Sequence, residues 1–300
     1  MVEEKTMNET VLMSMSEATR TLVDQEKSSV ACVGQGKATP RSGLLIGNGE
    51  VLTVAVSAEL GEEVPVQVKD QEYPAIVVGF DTSSGIALLR HDDLPGTIIT
   101  PGELPMVGEL CVTVACPIPE GHEVRLGLIR SVGGSTRLAG GRRVEHYFQT
   151  DSARFRGFAG AVVFAPDQRP LGITMPAHRR EEGFSLPIGQ LLEIAAELRE
   201  GRAVGTGYLG VQATSVDLPA PNEEFRQGLL VTGVESDTPA ERAGINVGTF
   251  VVSVGGTATA DLESLFDALT GRRAGDELAI RIMRSEGSME TVNVKVVLRT

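Results

Sequence analysis

Hydrolysis of a peptide bond by a serine enzyme needs three groups in register. A serine oxygen attacks, an imidazole takes its proton, and a carboxylate holds the imidazole in the right tautomer. The sequence supplies four histidines: His91, His122, His146 and His178. His91 is expected at a strand end, and strand alternation lets His146, in RVEHYFQT, face either core or solvent. Ser57, Ser83, Ser84 and Ser152 have no predictable histidine partner and read as ordinary turn or strand serines. Cys32, Cys111 and Cys116 are too few and wrongly spaced for a disulfide framework or a zinc site. Cys111 and Cys116 sit in an apolar strand-like run, so all three read as buried, reduced thiols. No metal and no cofactor is expected.

The elements that would position these residues are mostly short strands. Residues 8–24 carry Val11, Met15, Ala18 and Leu22 at helical spacing, which predicts a short helix with one apolar face. From about Ser28 the period changes to β-rich runs punctuated by Gly, Pro, Asn or Asp: SVACVG, GLLIG, EVLTVAV, VPVQV, AIVVGF and IALLR. A second set follows from about Met106: ELCVTVAC, EVRLGLIRSV, RVEHYFQT, GAVVFA and PLGITM. Two groups of short strands predict two antiparallel barrels in tandem. Residues 186–202 form the clearest helix, with Pro187 in its first turn, Leu191, Ile194, Ala195 and Leu198 on one face, and Gly201 as its stop. Residues 203–207 read as a linker. Beyond it, strands are expected at 209–216, 229–235, 249–254, 278–284 and 290–298, with helices at 239–245 and 261–269, the latter N-capped by Asp261. The fold class is therefore mainly β, ending in a small mixed domain. The divisions are 1–27, 28–203 and 204–300.

Composition excludes some roles. The net charge is −13 over 300 residues, and no basic half exists to neutralise phosphates, so nucleic acid and anionic membrane are poor partners. The first residues are acidic where a signal peptide needs basic ones, and no segment approaches the ~20 apolar residues that span a bilayer. The expectation is a cytoplasmic protein.

SGLLIGNGEVLT, AIVVGFDTSSGIALLR, FQTDSARFRGFAGAVVF, PLGIT, EEGFSLPI, GYLGV and PAERAGINVG follow one another in an order and spacing that resemble the high-temperature-requirement (HtrA/DegP) serine proteases over roughly residues 28–300. The resemblance implies a trypsin-like double β-barrel followed by a PDZ domain. It also identifies the triad positions. The family's L-T-N-x-H-V becomes Leu52-Thr53-Val54-Ala55-Val56-Ser57, with Val56 at the histidine place. Gly85 stands where D-x-x-T/S-D-L-A-L carries its second aspartate, and Ala159 stands at the serine of G-N-S-G-G-P. On this reading the chain is not an enzyme. Gly157 and Ala159 keep the backbone N–H groups of the family's oxyanion loop. Phe155 and Phe158 either fill the former cleft or belong to the core.

The resemblance also implies a peptide site. Tyr208, Leu209, Gly210 and Val211 match the family's carboxylate loop, and Gly210 lets backbone approach a ligand closely. The strand that follows offers an edge, and the helix near 261–269 offers a wall through Leu262, Leu265, Phe266 and Leu269, some of which face inward. The expected function is capture of protein C-termini or extended peptides, as adaptor, scaffold or chaperone-like factor. The alternatives are a regulatory or structural subunit of an active relative, or a serine endopeptidase. No Phe, Tyr or Trp precedes Tyr73, so the family's aromatic trimer contact is not evident.

Overall fold

The computed structural model describes residues 2–34, 41–54, 59–96, 98–118, 121–138, 140–152, 157–176, 183–200, 204–219, 221, 224–273 and 275–298. The chain divides into two units. One comprises residues 1–80, 85–136 and 144–202, and the other 81–84, 137–143 and 203–300.

The first unit holds both barrels. Strands β1 (Val30–Val33), β2 (Arg41–Gly47), β3 (Glu50–Val54), β4 (Glu63–Val68), β5 (Gln71–Asp81) and β6 (Ile86–Arg90) run in the order β5-β4-β1-β2-β3-β6. Pairing of β5 with β6 closes this first barrel. Asn48 and Gly49 turn β2 into β3 with φ of 54° and 71°, a hairpin geometry that suits Asn-Gly. Alternate residues point inward, so Ala31 and Val33 of β1 share a core with Leu45, Val51, Val66 and Leu89.

Strands β7 (Leu110–Ile118), β8 (Gly121–Gly133), β9 (Tyr147–Thr150), β10 (Val162–Phe164), β11 (Pro170–Thr174) and β12 (Phe184–Pro187) form the second barrel, closed in the order β9-β12-β11-β10-β7-β8. Its interior holds Cys111, Ile129, Phe148, Val163, Ala165 and Leu171. Burying each large side chain contributes about 1.5–3 kcal/mol.

Helix α1 spans Val2–Glu26, longer than the expected 8–24. Of its apolar stripe only Leu22 is buried, while Val11 and Met15 remain exposed. Helix α2 runs Ile188–Leu198 and buries Ile188, Leu191, Ile194, Ala195 and Leu198. Pro187 supplies its extended N-cap rather than a residue of the first turn. The anticipated stop, Gly201, lies outside the described residues. Arg199, just past the helix, donates to Glu50 at 2.9 and 3.0 Å, and Arg90 donates to the same carboxylate. That carboxylate is 2% exposed.

In the second unit, β13 (Val211–Asp217), β14 (Gln227–Val234), β15 (Phe250–Val254), β16 (Glu277–Met283) and β17 (Met289–Lys295) form a sheet in sequence order. Helices α3 (Pro239–Arg242) and α4 (Leu262–Leu269) accompany it. Asp261 caps α4 as expected. Its side chain accepts from Ser264 N at 2.8 Å, and the Ser264 hydroxyl returns to the Asp261 amide at 3.2 Å. Leu209, Leu229, Val231, Ile245, Leu265 and Ile280 lie in the core.

Candidate functional site

Two regions gather the residues singled out above. The first is the turn 157–160, between β9 and β10. Gly157 and Gly160 take φ of 75° and 85°, which side chains rarely adopt. A Cβ at Gly160 would lie 2.0 Å from the Ser42 carbonyl oxygen, so only glycine fits. The turn is tied from within. Ser42 Oγ donates to Gly157 O at 2.9 Å, and Ser42 N donates to Ala159 O at 3.0 Å. Phe158 O accepts from Ala161 N at 3.0 Å and from the Thr174 hydroxyl. With these carbonyls held inward, the amides of Gly157 and Ala159 meet no acceptor among the described residues. Phe158 is buried, and Ala159 is half-buried.

Gly85 ends the turn before β6 with φ of 77°, and a Cβ there would meet nothing within 4 Å. Val56 and Phe155 lie outside the described residues, as does His178. Ser83 and Ser84 are buried, and Ser83 donates its amide (2.9 Å) and its hydroxyl to the Asp81 carboxylate. Arg142 donates to the same carboxylate at 3.0 Å. His122 Nε2 stands 3.2 Å from Val30 O, and His91 Nδ1 accepts from Asp93 N at 3.2 Å. His146 is exposed. No described histidine meets a serine hydroxyl. The sequence missed Ser42. Only the tertiary fold brings it beneath residues 157–159, more than a hundred positions away.

The second region is the start of β13. Tyr208 ends a strand, Val204–Tyr208, that pairs with Val297–Leu298. Its hydroxyl meets the Glu235 carboxylate. Leu209 is buried, and its carbonyl accepts from Ala240 N at 2.9 Å. Gly210 takes φ of 79°, and its carbonyl accepts from Glu235 N at 2.9 Å. A Cβ at Gly210 would lie 2.4 Å from Thr238. The amides of Leu209 and Gly210 therefore point at no acceptor among the described residues. Two adjacent free N–H groups form a nest for an anion such as a carboxylate. Among the described residues β13 pairs in its sheet with β14 alone, which leaves its other edge without a partner strand there. Val211 is half-buried against the core.

The wall differs from the expectation. Leu265 and Leu269 are 5% and 4% exposed and belong to the core, whereas Leu262 and Phe266 are 43% and 36% exposed. At helical spacing all four share one side of α4, and packing on Leu278 and Ile280 claims two of them. The guanidinium of Arg137 lies 6.0 Å from the Phe266 ring and pairs with Asp267 at 2.6 Å.

Comparison with known proteins bears on both regions. The trypsin-like peptidase domain family matches residues 41–173, and the PDZ domain family matches 207–296. A probable periplasmic serine endoprotease, DegP-like, of Halomonas elongata is 29% identical over 268 residues, covering 85% of this chain and 56% of the relative. A putative serine protease HhoA of Synechocystis is 31% identical, covering 76% and 62%. The chain is similar to HtrA-type serine proteases across both domains. Among solved structures, the serine endoprotease from Yersinia pestis shares the fold at 22% identity with a TM-score of 0.67, covering 94% of this chain and 98% of that one. An HtrA-type protease AlgW bound to a decapeptide does so at 21% identity with a TM-score of 0.63, covering 94% and 99%. The chain spans about half the length of the DegP-like relatives it matches.

Two expectations are corrected by these relatives. The chain is expected not to be an enzyme, but the relatives it matches are named serine endoproteases, which overturns that expectation. It was also expected to be cytoplasmic, but those relatives are named periplasmic. Among the described residues, no helix is long and apolar enough to cross a membrane.

Proposed function

We propose that this chain captures the C-termini or extended segments of proteins on its PDZ unit. The ligand adds a strand to the open edge of β13, and its terminal carboxylate sits on the amides of Leu209 and Gly210. The observation that carries this reading is the pair of N–H groups without an acceptor at the head of an unpaired strand edge. The apolar side chains of Leu262 and Phe266 suit a hydrophobic terminal side chain. The decapeptide held by the AlgW structure supports the same use of the fold. Its working parts are the N-terminal segment 1–27, the barrel pair 28–203 and the PDZ unit 204–300. The test is titration of the full chain with labelled peptides ending in Val, Leu or Phe, beside the same peptides as C-terminal amides. Saturable binding that weakens at least tenfold on amidation is expected. No saturable binding across the set overturns the reading.

The names of the relatives carry a second reading, serine endopeptidase chemistry in the barrel pair. By resemblance the triad positions are Val56, Gly85 and Ala159, and the amides of Gly157 and Ala159 would receive an oxyanion. Ala159 has no oxygen, so any nucleophile comes from another position. Casein turnover together with labelling by a fluorophosphonate probe tests this directly. A labelled serine locates the nucleophile, and an inert, unlabelled chain rejects the second reading.

A further inference from the structure

The turn that follows β14 supports the Tyr208–Val211 loop from behind. Leu209 O accepts from Ala240 N, and Gly210 O accepts from Glu235 N, both at 2.9 Å. A trans peptide directs its N–H opposite to its C=O, and these peptides are trans. Holding the Leu209 carbonyl on residue 240 therefore aims the Gly210 N–H the other way. Holding the Gly210 carbonyl on residue 235 aims the Val211 N–H away from β14. The register agrees. Val211 lies opposite Val234, and a bond from residue 235 to residue 210 brackets a non-hydrogen-bonded pair, whose own N–H groups face outward. The Val211 amide thus faces the edge of β13 that has no partner strand among the described residues.

Thr238 joins these supports. Its hydroxyl donates to Glu235 O at 2.7 Å and so fixes the residue whose amide holds Gly210. Its side chain also packs on Gly210: a Cβ there would fall 2.4 Å from Thr238 Cβ and Cγ2, and 2.7 Å from Oγ1. A β-branched side chain has few rotamers, which suits one that must meet Glu235 and Gly210 together. The turn is anchored in its own right. Thr238 O accepts from Arg242 N at 3.1 Å, and Asp237, with φ of 61°, donates its amide to Glu241 Oε2 at 2.6 Å. Thr238 is buried, at 6% exposure.

We propose, resting on the peptide-capture reading above, that Thr238 is the positioning residue of the carboxylate nest and that the nest extends to the Val211 amide. Thr238 acts through Glu235 and Gly210 and not on the ligand itself. Loss of its hydroxyl frees the Glu235 carbonyl, loosens the turn 235–238, and lets the Gly210 carbonyl swing. The N–H groups of Gly210 and Val211 then lose the common direction that a carboxylate needs. Contacts of the terminal side chain with Leu262 and Phe266 do not depend on that direction.

The experiment titrates the full chain with fluorescent peptides ending in Val, Leu or Phe, each as the free acid and as the C-terminal amide, and compares the two Kd values. Thr238→Val keeps the shape of the side chain and removes the hydroxyl. Its affinity for the free acids is expected to fall about tenfold while that for the amides stays within about twofold, so the preference for the acid nearly disappears. Thr238→Ala is expected to lose the preference as well. Thr238→Ser restores the hydroxyl and holds the preference within about threefold of the parent's. Thr259→Val removes another buried hydroxyl of the same unit, one that meets Val251 O at 3.5 Å, and leaves the preference intact. A parent chain that binds no peptide, or binds acids and amides alike, overturns the capture reading. A parent with the preference, beside Thr238→Val and Thr238→Ala variants that keep it or that lose acid and amide binding in equal proportion, overturns the role of Thr238 alone.

Discussion

Glu50 shows how single residues hold this chain. Burial of its carboxylate favours the neutral form, but hydrogen bonds from Arg199 and then Arg90 outweigh that and hold its pKa below the ordinary 4.5. A lowered folded-state pKa contributes stability that is present above 4.5 and lost as the pH falls through the folded value. Both arginines are about 40% exposed, which screens the pair. Glu50→Gln is therefore expected to lower stability by about 1–2 kcal/mol at pH 7. The difference from the parent shrinks below pH 4, and urea unfolding at pH 7 and pH 3.5 checks both values. Asp81 is fully buried with Arg142 as its charged partner. Arg142→Ala strands that carboxylate, at an expected cost of about 3–5 kcal/mol, read in the same assay.

At the scale of elements, α4 separates stability from binding. Its inward face, Leu265 and Leu269, lies in the core, so Leu265→Ala is expected to cost about 2–5 kcal/mol. Phe266 is on the open side, so Phe266→Ala is expected to weaken peptide binding several-fold with little change in Tm. Comparable loss of Tm in both variants contradicts this division of the helix. The Asp261 cap governs the first turn of the same helix, and Asp261→Ala is expected to cost about 1 kcal/mol. In helix α1, Val11 and Met15 of the apolar stripe are exposed among the described residues and Leu22 is buried.

For the molecule as a whole, charge sets the encounter with ligands. The net charge is −13, so its field attracts cations and repels polyanions. Peptides with Lys or Arg upstream of an apolar C-terminus are expected to associate faster than acidic ones, and raising the salt from 50 to 500 mM closes that gap. Equal on-rates for basic and acidic peptides at low salt, measured by stopped flow, would show that the field does not steer the ligand.

Much of this was legible in the residues. Strand alternation, punctuation by glycine and proline, and the cap at Asp261 are short-range signals, and each is readable within a few positions. They announced two sets of barrel strands and the small mixed domain, because the backbone conformations involved depend on local residue types, whereas the loop at Tyr208–Val211 was read from the family resemblance. The orientation of α4 was not legible. Leu262, Leu265, Phe266 and Leu269 have the same helical spacing, and only packing against the sheet decides which two are buried. Nor could spacing place Ser42 under Gly157, or bring the Cys116 amide onto its hydroxyl. Those neighbours arise where two closed barrels meet, and contacts across 74 and 115 positions are fixed by how the sheets close. By itself the sequence determined which strands, turns and caps form. Tertiary structure alone decided which faces are spent on the core and which amides are left without an acceptor among the described residues.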